Sequence, residues 1–292
     1  MKQDILIGCV ADDFTGASDA ASFLMSKGMK TILFNGKPDG EIPPCQAVVI
    51  ALKSRTQETK SAVADSMAAF TWLKEQGAQH LYFKYCSTFD STKEGNIGPV
   101  VDAMLEAFGE KYTILCPALP VNKRTVENGI LYVDGVPLSE THMKNHPLTP
   151  MWESEIAKLM DPQGKYQTLN VNTELLAKSK EEILAVVDEF GKDKEHFYIV
   201  PDYVNDENGT KIAEVFGDLT VLTGGSGILA PLAAKYQQAQ TAKDSMENSV
   251  DGKGIVLAGS CSKATLEQIA DFQTKGYASY KIDPMAVLYG IL

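Results

Sequence analysis

The chain's densest chemistry begins at Ala11-Asp12-Asp13-Phe14-Thr15-Gly16-Ala17, where two adjacent carboxylates lie between an apolar run and a helix-like segment. One aspartate is enough to cap a helix N-terminus, so the second is surplus to that role. A carboxylate pair can also bind Mg²⁺, accept a proton from a hydroxyl, or hold a polyol by hydrogen bonds. Lys53-Ser54-Arg55-Thr56 repeats the placement with basic groups, which either clamp a carboxylate or phosphate or form a solvated turn. The stretch from Phe83 to Thr92 gathers Lys84, Ser87, Thr88 and Asp90, a set that suits a polyhydroxylated anion. Asn122, Lys123, Arg124 and Thr125 add a second basic pair.

Two glycine and hydroxyl turns complete the set. Thr223-Gly224-Gly225-Ser226-Gly227 and Gly259-Ser260-Cys261-Ser262 each follow an apolar run and open a helix. Such turns offer backbone N–H groups and a helix N-terminus to an anion, or they answer a need for tight packing. Neither has the Walker A ending or the spacing of a dinucleotide fingerprint. His142 and His146 are four apart, but they have too few neighbouring ligands for a zinc site, so no metal-binding residues are expected.

These segments need a scaffold that brings them to one place. Apolar runs at 5–10, 31–34, 47–52, 81–85, 112–116, 168–171, 197–201 and 220–222 read as strands. Amphipathic segments at 15–27, 57–76, 98–108, 150–160, 180–190, 210–216 and 229–236 read as helices between them. Residues 122–140 interrupt the alternation with a polar loop and a hairpin turning at Asp134-Gly135. Strands alternating with helices imply an α/β fold, a parallel or mostly parallel sheet with helices on both faces. Ligands bind such sheets at the carboxyl ends of the strands, where the loaded segments fall.

Residues 237–253 are polar without an apolar period and read as a linker. Beyond them, expected strands at 254–258 and 280–282 flank a helix at 262–275. The expected organisation is a binding domain over 1–236, the linker, and the start of a second α/β domain over 254–292.

The chain has 292 residues, 44% of them hydrophobic and 22% charged, the profile of an ordinary globular protein. Its net charge of −11 argues against nucleic acid as a partner. No apolar run reaches the ~18 residues of a membrane span, and no signal peptide is evident. Five cysteines without a CxxC pattern suggest free buried thiols in a reducing cytoplasm.

Taken in order, the segments at 11–17, 53–56, 83–92, 95–99, 117–125, 223–227 and 259–262 resemble the four-carbon acid sugar kinase family over nearly the whole chain. The run from His142 to Met151 draws the resemblance towards the branch acting on 3-oxo-tetronate. The resemblance implies a sugar-acid domain over 1–236, followed by a nucleotide-binding domain, with ATP and Mg²⁺ as cofactors. It implies Asp12 and Asp13 as catalytic carboxylates facing the substrate. Arg55, Lys84, Ser87, Thr88, Asp90, Asn122, Arg124 and Thr125 would bind the sugar acid, and Gly224, Gly225, Ser260 and Ser262 the nucleotide. Lys123 stands where the family pattern leads us to expect glycine. The family's nucleotide domain continues past residue 292, so weak ATP binding and little turnover are expected of the chain alone. A non-catalytic sugar-acid binding protein is the second reading. A homodimer is left open.

Overall fold

The structure is a computed structural model that describes residues 5–145, 148–238, 254–259 and 263–290. The chain divides into two compact units, Met1–Met246 and Glu247–Leu292.

In the first unit the elements run β1 (Ile7–Ala11), α1 (Phe14–Met25), β2 (Thr31–Asn35), β3 (Ala47–Ala51), α2 (Thr59–Gln76), β4 (His80–Lys84), α3 (Ile97–Phe108) and β5 (Tyr112–Cys116). Three short strands follow, β6 (Arg124–Glu127), β7 (Ile130–Val133) and β8 (Val136–Pro137). The alternation then resumes with α4 (Ile156–Met160), β9 (Thr168–Val171), α5 (Thr173–Leu176), α6 (Lys180–Phe190), β10 (Phe197–Pro201), α7 (Asp206–Phe216), β11 (Val221–Gly224) and α8 (Leu229–Gln238).

Eight strands form one sheet in the order β2-β3-β1-β4-β11-β5-β10-β9. Every pairing in it is parallel, as the α/β reading anticipates. β1, β3 and β10 are buried at every position, which is why they read as unbroken apolar runs. Register brings the strand ends level. Ala11 lies opposite Ala51 on one side and Lys84 on the other, and Lys84 lies opposite Gly224. The chain leaves β1 towards β2 on one side and leaves β4 towards β5 on the other. The crevice between the ends of β1 and β4 is therefore a topological switch point, the place where open α/β sheets take ligands.

The expected polar loop at 122–129 is instead part of an antiparallel sheet, β6-β7-β8. Asn128-Gly129 and Asp134-Gly135 turn its two hairpins, with φ of +51° and +74° in the first and +53° and +77° in the second, the pattern of type I′ turns. Asp202, just past β10, pins the first turn. Its carboxylate accepts hydrogen bonds from the backbone N–H groups of Asn128 at 2.8 Å, Gly129 at 3.0 Å and Thr173 at 3.0 Å. A Gly129→Ala protein is expected to lose about 1 kcal/mol through left-handed strain at that position. A thermal melt about 2–4 °C lower would register it.

The helix expected over 150–160 shrinks to Ile156–Met160. Leu131 donates its N–H to the Ser154 carbonyl at 2.8 Å, and Glu155 bridges Ile130. Backbone engaged sideways with β7 cannot also wind into a helix.

The second unit contains α9 (Lys263–Thr274) and α10 (Pro284–Leu288). The strands expected at 254–258 and 280–282 are not formed among the described residues. Ile255, Val256 and Leu257 are exposed there, without the paired neighbour that makes an apolar run a strand. Ser260, Ser262 and most of the expected linker lie outside the described residues.

Candidate functional site

The switch-point crevice holds five charged side chains. Asp12 and Asp13 follow β1, Arg55 lies in the turn after β3, Lys84 ends β4, and Asp90 lies in the loop before α3. The turn carrying Arg55 hangs from β1, because Ser54 and Arg55 both donate their N–H to the Asp12 carbonyl, at 3.0 and 3.2 Å.

Asp12 is buried and grips Arg55 with both oxygens. Arg55 Nε donates to Oδ2 at 2.9 Å and Nη2 to Oδ1 at 2.8 Å, a bidentate pair. Nη2 also lies 2.9 Å from Asp13 Oδ1. Nη1 has no hydrogen bond among the described residues, and Asp90 Oδ2 stands 3.7 Å from it. Thr88 donates to Asp90 Oδ1 at 2.6 Å, which fixes that carboxylate.

Asp13 caps α1 by accepting the Gly16 N–H at 3.0 Å through Oδ1. Its side chain remains 29% exposed. Asp13 thus fills the helix-cap role expected of one aspartate, while Asp12 serves an ion pair with Arg55 that the sequence did not announce. Lys84 differs from the rest. Its side chain is only 6% exposed, and its ammonium lies 3.8 Å from Asp13 Oδ1. The ammonium makes no hydrogen bond among the described residues. Gly16 provides its berth, since a Cβ there would lie 2.0 Å from Lys84 Nζ and 2.3 Å from Asp13 Oδ1.

Burial pushes the Asp12 carboxyl above the usual carboxylate range, and the Arg55 ion pair opposes that push. Arg55 is itself held firmly charged: burial works against the charge, and the bond to Asp12 outweighs it. The Cys9 thiol, pushed up to about 12 by burial, is unreactive at neutral pH. Cys86 and Cys116 are free thiols as well.

The other expected residues are placed differently. Ser87 is half-buried on the loop after β4. Asn122 is exposed, and its carbonyl accepts from Arg124 Nη1 at 2.7 Å. Arg124 and Thr125 stand on β6, in the small antiparallel sheet. Lys123 has φ of +58°, the conformation glycine adopts most easily, which accounts for the family's expected glycine at that position. Gly224 and Gly225 meet a packing need. A Cβ on them would lie 2.3 Å from the Cys116 carbonyl oxygen and 2.4 Å from that of Pro117. Asp202, though it follows a strand end, is used up as a structural pin.

Sequence reasoning missed a second hollow of about 220 Å³, open to solvent, lined by Phe23, Lys27, Leu119, Tyr203, Asp206 and Pro231 among others. Its walls come from separate segments with no local motif. Among the described residues, no group of three or more His, Cys, Asp or Glu side chains could hold a metal ion, and no helix is long and apolar enough to cross a membrane.

Fold and site together define the class: a parallel α/β protein with a charged crevice at its strand ends. The family of the sugar-binding N-terminal domain matches residues 7–232, and the chain belongs to the four-carbon acid sugar kinase family of which that domain is part. It is 41% identical over 280 residues to a 3-oxo-tetronate kinase of Brucella melitensis, an alignment that covers 94% of this chain and 64% of that protein. A crystal structure of a Haemophilus influenzae protein is similar, with a TM-score of 0.82, 43% identity, and coverage of 91% of this chain and 65% of that one. A Bordetella bronchiseptica protein crystallised with bound citrate as a domain-swapped dimer has a TM-score of 0.67 and 29% identity, over 94% of this chain and 66% of that one. The chain thus spans a little under two thirds of the length of the curated relatives it matches first.

Proposed function

We propose that the chain is the sugar-acid-binding part of an ATP-dependent kinase that phosphorylates the terminal hydroxyl of a four-carbon sugar acid, 3-oxo-tetronate foremost. The observation that carries this reading is Lys84, whose side chain is only 6% exposed and whose ammonium makes no hydrogen bond among the described residues. Taking an ammonium out of water is costly unless an anion meets it. The nearest carboxylate stands at 3.8 Å, which leaves the ammonium's donors free for a ligand oxygen. Arg55 Nη1 offers further free N–H donors in the same crevice. A small carboxylic acid bearing hydroxyls fits that arrangement, and the citrate in the Bordetella relative is a molecule of that kind.

In this reading Lys84 and Arg55 hold the substrate carboxylate. Asp12 keeps the guanidinium in place. Asp13, the more open of the two aspartates, faces the hydroxyl and accepts its proton. Nucleotide-bound Mg²⁺ supplies charge neutralisation on the transferred phosphoryl group when present. The metal in such sites rests mainly on phosphate oxygens with one or two carboxylates, and Asp13 is the carboxylate in this crevice open enough to serve. Gly224 lies level with Lys84 through the β4–β11 register, and it is proposed with Gly225 as a nucleotide contact of this part, the Gly225 N–H being already donated to the Cys116 carbonyl at 3.0 Å. Ser260 and Ser262 remain the proposed phosphate contacts of the nucleotide part, in a cytoplasmic enzyme whose partners are the sugar acid and ATP.

Calorimetric titration with 3-oxo-tetronate, threonate and erythronate tests the substrate reading. Saturable binding that disappears in a Lys84→Met protein is expected. A chain that binds none of the three acids would sink the proposal.

A further inference from the structure

We propose that Asn96 is a positioning residue for Arg55, locking the turn from which the guanidinium reaches into the crevice. Asn96 occupies the N-cap position of α3, where an asparagine ordinarily turns its side-chain oxygen onto the helix's own N–H groups. It makes no such bond. Its amide Nδ2 points away from the helix and donates to the carbonyls of Ser54 at 2.8 Å and Gln57 at 2.8 Å, with that of Arg55 at 3.4 Å. The residue is only 7% exposed. Its Oδ1 is buried without a hydrogen-bond partner. Turning the amide over would set that oxygen against three carbonyls, so the network fixes its orientation.

The loop between β4 and α3 therefore holds Arg55 twice. Asp90, at one end, faces the guanidinium at 3.7 Å. Asn96, six residues on, ties down the backbone on both sides of Arg55. The loop is in turn anchored to Gln163, whose Oε1 accepts from Ser91 Oγ and from the Gly98 N–H, each at 3.0 Å. Gly95 permits the tight approach, since a Cβ there would lie 1.7 Å from Ser91 Oγ. An asparagine that gives up helix capping and leaves its own oxygen unpaired, while filling three carbonyls around one arginine, is placed for that arginine.

The inference builds on the proposed sugar-acid site, yet it is testable without any substrate. The chain has two arginines, Arg55 and Arg124. Arginine-directed labelling with phenylglyoxal, read by peptide mass spectrometry, therefore carries its own internal reference. In an Asn96→Ala protein the labelling rate of Arg55 is expected to rise about fivefold or more relative to Arg124, because the turn opens locally. A general loosening would raise both rates together. An unchanged ratio overturns the inference. Should Asn96→Ala fail to fold, Asn96→Ser, which keeps one hydroxyl donor, gives the same comparison. In the titration, sugar-acid affinity is expected to fall about tenfold in Asn96→Ala and by less than about twofold when the change is added to Arg55→Lys. Losses that simply add would also overturn the positioning role. Failure of the parent chain to bind any sugar acid would instead sink the proposed substrate and leave the labelling ratio to judge Asn96.

Discussion

An Arg55→Ala protein is expected to unfold about 3 kcal/mol more easily than the parent at neutral pH, because one half of a buried ion pair is removed while the other stays. For a unit of this size that corresponds to a melting temperature roughly 6–12 °C lower. The reason lies in what Arg55 neutralises. Asp12 is almost fully buried and gives both oxygens to the guanidinium, Asp13 lies 2.9 Å from Nη2, and Asp90 faces Nη1. With alanine in its place, three carboxylates share a crevice in which Lys84 is the remaining cation of the five side chains, 3.8 Å from Asp13 and reaching Asp12 only through its field. Sugar-acid affinity is expected to fall at least about a hundredfold, since a charge-assisted donor is lost and a negative field replaces it.

The same variant has a signed pH dependence. Burial already raises Asp12's pKa in the parent, with Arg55 opposing. Without Arg55 the opposition goes and the folded-state pKa rises further above the ordinary carboxylate value of about 3.9. Between those two values the folded protein binds more protons than the unfolded chain, so stability falls as pH rises through the interval and returns on acidification. The gap between variant and parent is therefore expected to narrow as pH falls from neutrality. Melts of both proteins across that range check it. A variant melting within about 2 °C of the parent at every pH would show that Arg55 does not neutralise these carboxylates.

The parts of this site that were legible in the sequence share one property: each follows an apolar run. Asp12, Arg55 and Lys84 could be placed at strand ends because β1, β3 and β4 are buried on both faces and show no alternation. Nothing in the sequence shows that β11 slots between β4 and β5 and sets Gly224 beside Lys84, because that pairing joins residues far apart in the chain. Arg124 and Thr125 also follow an apolar run, yet they stand on a separate antiparallel sheet; a strand end gives a level, not a neighbour. Asn96 was visible as part of a Gly-Asn-Ile-Gly turn but not as a clamp, since its partners are backbone carbonyls some forty residues away. The apolar runs at 254–258 and 280–282 fail as strands for a related reason. Propensity selects a pleated, half-buried surface only where a neighbouring strand supplies one.

A Gly16→Ala protein is expected to separate binding from stability. In an exposed helix, alanine in place of glycine gains up to about 1 kcal/mol. Here the new Cβ would lie 2.0 Å from Lys84 Nζ and 2.3 Å from Asp13 Oδ1. Both are ends of side chains rather than backbone, so the fold can yield by moving them. Lys84 is the more flexible, and its ammonium has no hydrogen bond to break among the described residues. It is expected to swing out of its berth beside α1, with the helix gain offsetting most of the cost, so that the melting temperature changes by no more than about 4 °C. Binding has no such offset. In the proposed site the ammonium that would meet the substrate carboxylate is displaced, so affinity for the sugar acid is expected to fall at least about a hundredfold. A double variant with Lys84→Met should bind hardly worse than Lys84→Met alone, because both changes remove the same contact. A Gly16→Ala protein that binds within about threefold of the parent would mean that the ligand does not touch Lys84, and the carboxylate would then have to be assigned to Arg55 alone.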